Sequence, residues 1–582
     1  MKNLKRYFLA TICFAAQLGF AQEKNFDIST PVGIDPVGLN KVLCMKNGNT
    51  VLFHFEPGKP MMVKVFDADH KRIANTQPEC NILDIGSLRT LVFKGLYDIG
   101  GEAVLFIEQQ NSGRHSLVML RVNGTNGRKI DERTIGKSKS MAKPAKFFVM
   151  KDRKEDDYAI FYCNDVPQFK SCELHLTWYN SKHEVYKEVP LVLDRKKYDY
   201  LDVVGADLLP DGACISLGLS TLVMNGTGTF PRTVSVGQAG QSGQYEVGQS
   251  GQYDVLSEGV GSSLENAPIY DHHLAIFFIP KDSARAVSKL VDVSQEVYPY
   301  YAQSSYNPFA KSVNLLLLSY RDALYRYGLE LRPTSLTSNL FFKLDEDNLA
   351  ASYTWMNNQL ANQSLKEHTD TGNFFKGLPL KLSTNNNGLS TLVSESYSRF
   401  KNIESSSRTD VFETFFGDIG VTQFDDDGKE IWGTVLPKSQ YLKSYRHYYS
   451  AAELGKRAQQ QEMFGDLPRQ VYDRQFVSCN TYNNGNDQYI VFNDYNKNLQ
   501  SNIEAGSDTV FTFDHTNTCY YKINKKKEVS KQYMFGDPLT KEYKASFIEG
   551  ADFDEQRGTY ASLIQYKRGE YTSLRMAWRH LD

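Results

Sequence analysis

Apolar and polar positions alternate along this chain in short blocks rather than in long helical stripes. Runs of strand length recur at Val51-Leu52-Phe53, Val104-Leu105-Phe106-Ile107, Ala159-Ile160-Phe161, Ile215-Ser216-Leu217 and Ala275-Ile276-Phe277-Phe278, with starting positions 53, 55, 56 and 60 residues apart. Apolar runs this short, bounded by turn residues, favour strand over helix. An interval this regular is the length of a four-stranded antiparallel unit, the sequence mark of a β-propeller blade.

A second feature repeats in phase with the first. A strand ends in a polar turn, and a charged residue then precedes Ile or Val: Phe66-Asp67-Ala68-Asp69-His70-Lys71-Arg72-Ile73, Asn123-Gly124-Thr125-Asn126-Gly127-Arg128-Lys129-Ile130 and Asn180-Ser181-Lys182-His183-Glu184-Val185. Ile73, Ile130 and Val185 are 57 and 55 residues apart. Asp, Asn and Gly suit a tight hairpin because they tolerate positive φ and bond their own backbone.

Beyond residue 300 the rhythm loosens. Strands are expected at Leu315 to Leu318, Leu392-Val393, Tyr489 to Phe492 and Leu563-Ile564, with hairpins at Phe424 to Ile431 and Ile523 to Val529. The wider gaps imply insertions. One, at about 441–470, carries a predicted helix from Ser450 to Met463, rich in Ala, Gln, Glu and Lys and closed by Gly465, Asp466 and Pro468. Thr572 to Trp578 alternates apolar and polar residues and is expected to close the ring beside the first blade, with both termini sharing one blade. The tandem Gly240-Gln241-Ser242-Gly243-Gln244-Tyr245-Glu246-Val247 and Gly248-Gln249-Ser250-Gly251-Gln252-Tyr253-Asp254-Val255 sits in a Gly/Gln-rich loop at about 226–265. The interval from Ile215 to Ala275 places that loop within the fourth blade or between the fourth and fifth. The fold expected for 22–582 is therefore all-β: a single β-propeller of about seven blades, six or eight also fitting, with a small helical insertion.

The best hairpin copy, Gln423-Phe424-Asp425-Asp426-Asp427-Gly428-Lys429-Glu430-Ile431-Trp432, resembles the blade repeat of quinoprotein-like propellers. In that pattern an apolar strand, an acidic turn with Gly, a charged pair and a Trp recur in each blade. The four other copies here lack the Trp, and no residue matches a quinone- or calcium-binding motif of that family. The resemblance implies a fold and no cofactor.

Composition supports β structure, since aromatics are 13% of the chain and favour pleated, half-buried surfaces. A net charge of -2 argues against a nucleic-acid partner, whose polyanionic backbone selects basic surfaces. Met1 to Ala21 reads as a signal peptide: Lys2, Lys5 and Arg6, then an apolar stretch from Tyr7 to Phe20, then Gly19-Phe20-Ala21 as a small-x-small cleavage site. No later run approaches the roughly 20 apolar residues of a membrane helix, so no transmembrane segment is expected. The expected location is periplasmic or extracellular. Seven cysteines remain after Ala21: Cys44, Cys80, Cys163, Cys172, Cys214, Cys479 and Cys519. An odd number leaves at least one unpaired, and a bridge between Cys163 and Cys172 is open to a short hairpin.

Candidate chemistry is sparse. Ser242 and Ser250 lack the second Gly of a serine nucleophile turn, and Ser140-Met141-Ala142-Lys143 meets Ser-x-x-Lys but runs into Pro144. Asp425-Asp426-Asp427-Gly428 and Asp67-Ala68-Asp69 fit hairpin tips better than calcium loops. Glu155, Asp156 and Asp157 read as a solvated turn rather than a glycosidase pair. Asp271-His272-His273 is the densest set of metal-type ligands; on a strand adjacent side chains point to opposite faces and cannot easily share one ion, an objection that lapses if the segment is a loop at the mouth of a central channel. These three are the candidate ligand-binding residues; no metal site and no catalytic residue is assigned. The function expected is an exported, non-catalytic binding or scaffold protein with a glycan or envelope-protein ligand. The alternative is a secreted hydrolase or lyase with its active site at the channel mouth.

Overall fold

Small sheets with two apolar faces are stable only when both faces are covered, and radial stacking around an axis covers both. In the computed structural model of this chain the strands adopt that arrangement. The structure describes residues 25–581 apart from 37, 57, 86–90, 112–113, 139–144, 153–154, 165–172, 194–196, 225–268, 284, 293–296, 322–335, 346–350, 357–358, 369–374, 376, 386, 405–408, 445–473, 501–505 and 540. The signal peptide expected at Met1 to Ala21, the tandem octapeptide, the helix expected at Ser450 to Met463, the Ser140 to Lys143 motif and Cys172 lie outside the described residues.

The described strands form seven hydrogen-bonded sheets, one of them nine-stranded. That sheet is two units joined through the single parallel pair Asn517 and Lys544, so the chain builds eight blades. The first shows the common plan: Leu39–Cys44, Thr50–Phe55, Met62–Phe66 and Arg72–Thr76 pair antiparallel in that order. Thr50–Phe55 is buried along its whole length and Arg72–Thr76 is mostly exposed, so the strands run from the axis outward.

Packing closes the ring. One apolar core lies between each neighbouring pair of blades, from Phe53 against Leu105 between the first and second to Tyr489 against Tyr560 between the seventh and eighth. The last joins the eighth to the first, where Trp578 and Met576 meet Leu52 and Phe66. The all-β propeller expected from the sequence is present, with eight blades. The expectation of about seven, with eight also fitting, rests on chain length at roughly 55 residues per blade; what the structure corrects is the placement of the fifth apolar run. Ala275 to Phe278 does not begin a new blade; it lies in the fourth blade's third strand, Ile269–Pro280, paired with the fourth run as Ile215 to Phe277. Residues 225–268 connect the two strands.

The eighth blade is shared by the termini. Its third strand, Tyr571–His580, is flanked by Thr559–Arg568 and by Phe26–Ile28, which forms the outer edge. The single described α-helix, Gln359–His368, joins the fifth blade to the sixth. It packs Ala361 and Leu365 on Val435 and Phe375. Gly433 permits that approach, because a Cβ there would stand 2.4 Å from the Ala361 nitrogen. Its sequence has few apolar residues, which hides it from a periodicity reading. No helix among the described residues is long and apolar enough to cross a membrane.

The repeated polar turns are one device used around the ring. In each, an Asx side chain accepts bonds from backbone N–H groups two to four residues on: Asp67 from Asp69 and Lys71, Asn180 from Lys182 and Glu184, Asp425 from Asp427 and Lys429, Asn524 from Lys526 and Glu528. The residue three positions after the Asx takes positive φ, as Gly428 in one turn but as His70 (62°), His183 (63°) and Lys527 (67°) in three others. A left-handed conformation costs a non-glycine residue about 1–2 kcal/mol, and each of the three gains a contact on the preceding blade. His70 stacks on Trp578 at 4.3 Å, His183 Nε2 lies 3.5 Å from Glu102, and Lys527 Nζ sits 5.7 Å over the Trp432 ring. Asn180→Ala is expected to lower stability by about 1 kcal/mol, the worth of the turn's side-chain bonds. Urea denaturation tests this; an unchanged midpoint would show that docking of His183 alone holds the turn.

In an antiparallel blade the connections alternate ends, which gives the ring two unlike faces. First-to-second and third-to-fourth connections are all short, from Gly100-Gly101 to 281–286. At the opposite end the connections include 77–90, 225–268, 322–335, 357–376, 445–479 and 496–515. One face is a set of tight hairpins, and the other carries every long insertion.

Candidate functional site

The innermost strands bend toward the axis because several carry an extra residue. The pairing register slips between Phe93 and Gly95, Val203 and Gly205, Pro299 and Tyr301, and Pro379 and Lys381, each a bulge that increases curvature. In the eighth blade the innermost strand is broken. Glu542–Ser546 and Asp552–Asp554 both pair with Thr559–Arg568, and the break between them projects residues 547–551 into the channel. Gly550 lies so close to the first blade that a Cβ would stand 2.3 Å from the Asn40 carbonyl oxygen.

This break bounds a channel cavity of about 390 Å³. Its wall is mostly apolar, from Val42, Phe93, Leu96, Phe147 and Phe148, and its charge comes from Lys41, Lys94, Glu549 and Asp552. Each of those charges has a partner within the protein. Lys41 Nζ is 3.4 Å from Glu549 Oε1 and 4.9 Å above the Phe93 ring, and Arg474 Nε is 3.5 Å from the other Glu549 oxygen. Burial alone would push the Glu549 carboxyl up, but Arg474 and Lys41 outweigh it and hold the pKa below the usual carboxylate value. Asp552 accepts the backbone N–H of Cys44 at 2.9 Å. Lys94 turns away into its own blade, 3.0 Å from Glu108, whose other oxygen lies 2.7 Å from His115 Nδ1.

Polar side chains elsewhere on the axis tie neighbouring blades. Gln303 donates to the Leu380 carbonyl and accepts from the Leu382 N–H, Lys381 Nζ donates to the Thr481 carbonyl, and Gln475 bonds Asn40 and Gly38. Asp207 accepts both the backbone N–H and the hydroxyl of Ser304, at 2.8 and 2.6 Å. Burial pushes its pKa up, and the Ser304 bonds offset only part of that. A carboxyl raised in the folded state destabilises the fold as pH climbs from its ordinary value through its folded one. Asp207→Asn keeps an acceptor for Ser304 and is expected to stabilise the protein at neutral pH more than at pH 4. A thermal-melting series across pH checks this, and a uniform loss at every pH would contradict it.

The structure separates the residues singled out in sequence. Asp271, His272 and His273 are consecutive on the strand Ile269–Pro280, and both histidines are buried. His272 Nδ1 meets Ser220 Oγ at 2.8 Å, whereas His273 packs edge-on to Tyr198. Asp156 pairs with Lys46 of the first blade at 2.7 Å, and Glu155 and Asp157 both pair with Lys281 of the fourth. Asp67 and Asp425 hold their turns, and Asp426 accepts from Asn307. Cys214, Cys479 and Cys519 are buried, and burial pushes their thiols up, Cys214 to about 12. Among the described residues no three metal-type ligands converge.

No protein-family model and no curated protein matches the chain. Solved structures that it is similar to include the WD40 domain of SCAP from fission yeast, at 8% identity and TM-score 0.32, covering 96% of this chain and 99% of that one. The Dos1 propeller aligns at 8% identity and TM-score 0.38 over 95% and 94% of the two chains. A PL25 ulvan lyase aligns at 7% and TM-score 0.35 over 88% and 94%. These likenesses are too distant to carry any role to this chain.

Lys41, Arg474 and Glu549, which form the channel's ion cluster, were not picked out in sequence. They lie in three distant segments with no local motif. The one local cue is the Phe547 to Ala551 interruption, which only the pairing of the two strand halves reveals.

Proposed function

We propose that this chain is an exported binding or scaffold protein, without catalysis of its own, that meets a glycan or an envelope protein through its loop-bearing face. The observation that carries this reading is the pairing of the cavity's charges. A general acid needs a carboxyl whose pKa is raised toward the working pH, whereas Glu549 is held low between Arg474 and Lys41. No histidine lines the cavity among the described residues. The hydrolase or lyase alternative rests on Asp207, an axis-strand carboxyl that burial pushes up, and Ser304 already places two bonds on one of its oxygens. Export rests on the Met1 to Ala21 pattern, and the likeness to quinoprotein-like blades enters as architecture only.

Long insertions on a rigid ring are where binding residues concentrate. The test is retention of envelope polysaccharide or protein from an extract on the immobilised mature chain, with mass analysis of what is released. Retained material should be unchanged in chain length and ends. New reducing ends, unsaturated sugar ends or peptide fragments would overturn the non-catalytic reading.

A further inference from the structure

Two exposed aromatic residues, Phe400 and Phe511, lie on the loop-bearing face. Phe400, Phe415, Tyr441 and Phe511 form a row from the sixth blade to the seventh, with successive ring centroids 6.1, 5.0 and 5.2 Å apart. The ends of the row are open to solvent: Phe400 is 48% exposed and Phe511 64%. Leaving rings of this size in water forfeits the burial that holds the rest of the aromatics in the blade cores.

The row leads into a groove of about 720 Å³ beside the seventh blade's long connection. Phe511 forms one wall, and Tyr495, His515 and Tyr543 complete its aromatic lining. The His515 and Tyr543 rings meet edge to face at 5.1 Å, and the Tyr495 hydroxyl accepts the Phe511 N–H at 3.1 Å, so the wall is braced. Polar groups stand among the rings: Asn496, Thr509, and Lys497 with Asp508, whose charged ends are 2.6 Å apart.

We infer that this groove binds an extended, neutral oligosaccharide. Pyranose rings present C–H faces that stack on aromatic rings and an edge of hydroxyls that needs donors and acceptors, so a sugar site combines the two in one groove. Steps of about one ring length along the aromatic row match a linear chain of sugar rings. The lysine and the aspartate in the groove neutralise each other, which gives no net attraction for a uronic acid or sulfated chain. A protein partner would instead favour a fully apolar centre with polar groups at the rim. The inference rests on the binding reading above and narrows it to one ligand class and one place.

The experiment is calorimetric titration of cellohexaose, laminarihexaose, chitohexaose and mannohexaose, with polygalacturonate as the anionic comparison, into the full chain and into Phe511→Ala and Tyr543→Ala. At least one neutral hexaose should bind, and each substitution should weaken it about tenfold. Lys527→Ala, on the hairpin face, should leave it unchanged. Phe511 is largely exposed, so its variant should melt with the native protein. Failure of every neutral hexaose, preference for polygalacturonate, or equal binding by Phe511→Ala overturns the inference. If Phe511→Ala still retains envelope material as the native chain does, the groove assignment fails while the broader binding reading stands.

Discussion

Trp578→Ala should lower stability by about 3–5 kcal/mol, the upper range for truncating a buried aromatic residue, and should open the ring to protease at its N-terminal strand. Trp578 is 1% exposed and belongs to the seam where the ring closes. Its ring meets Phe66 edge-on at 5.3 Å and stacks on His70, and its Nε1 donates to Thr50 Oγ1 at 2.9 Å. Its backbone pairs with Asp27 on one side and Ala561 on the other. One side chain thus joins the first blade, the eighth blade and the outermost strand Phe26–Ile28. Every other blade is closed by covalent continuity, whereas the eighth is held to its outer strand by non-covalent contacts alone. Thermal melting with limited proteolysis measures the effect. Early cleavage near residues 25–36 is expected, and a loss below about 1 kcal/mol with no change in cleavage would show that the seam does not depend on Trp578.

Lys438→Met should cost a similar amount for a different reason. Lys438 and Glu395 are a buried ion pair at 2.8 Å, with side chains 1% and 2% exposed. Ser478 Oγ donates to Glu395 at 2.7 Å, and Lys438 Nζ also donates to the Phe416 carbonyl and to Gln440, whose amide reaches the Asn493 carbonyl. This network joins the sixth and seventh blades. Removing the lysine leaves a buried carboxylate uncompensated, which costs about 3–5 kcal/mol, whereas replacing both partners with apolar residues of similar volume is often near neutral. Lys438→Met with Glu395→Leu should therefore recover most of what Lys438→Met alone loses. Urea unfolding of the two singles and the double closes the cycle. A double variant no more stable than Lys438→Met alone would contradict the charge-burial account.

The blade plan was legible because it is written in local residues. The Asx turns at Asp67, Asn180, Asp425 and Asn524 need a short polar side chain at one position and a tolerant backbone three residues later, so spacing alone exposes them. The second strands were legible as well, because Val51 to Phe53 and Val104 to Ile107 lie in strands packed on both sides. The fourth blade misled for the same reason. Its third strand is as apolar as its second, and only the register of Ile215 on Phe277 distinguishes a partner strand from the next repeat. The channel cluster depends on the broken strand around Glu549 and on Arg474, which arrive from separate blades. The aromatic groove likewise gathers Phe400, Tyr441, Phe511 and Tyr543 from segments whose Phe and Tyr are indistinguishable in sequence from core residues.

The two faces of the ring differ in their connections, and binding is proposed for one of them. Hydrogen exchange read by mass spectrometry, with and without the retained ligand, separates the faces directly. Protection is expected in 437–444 and 495–516, with the hairpins 67–71, 180–184 and 524–528 exchanging as before. Protection confined to those hairpins, or a ligand that comes back cleaved, would contradict a non-catalytic binding face built from the long connections.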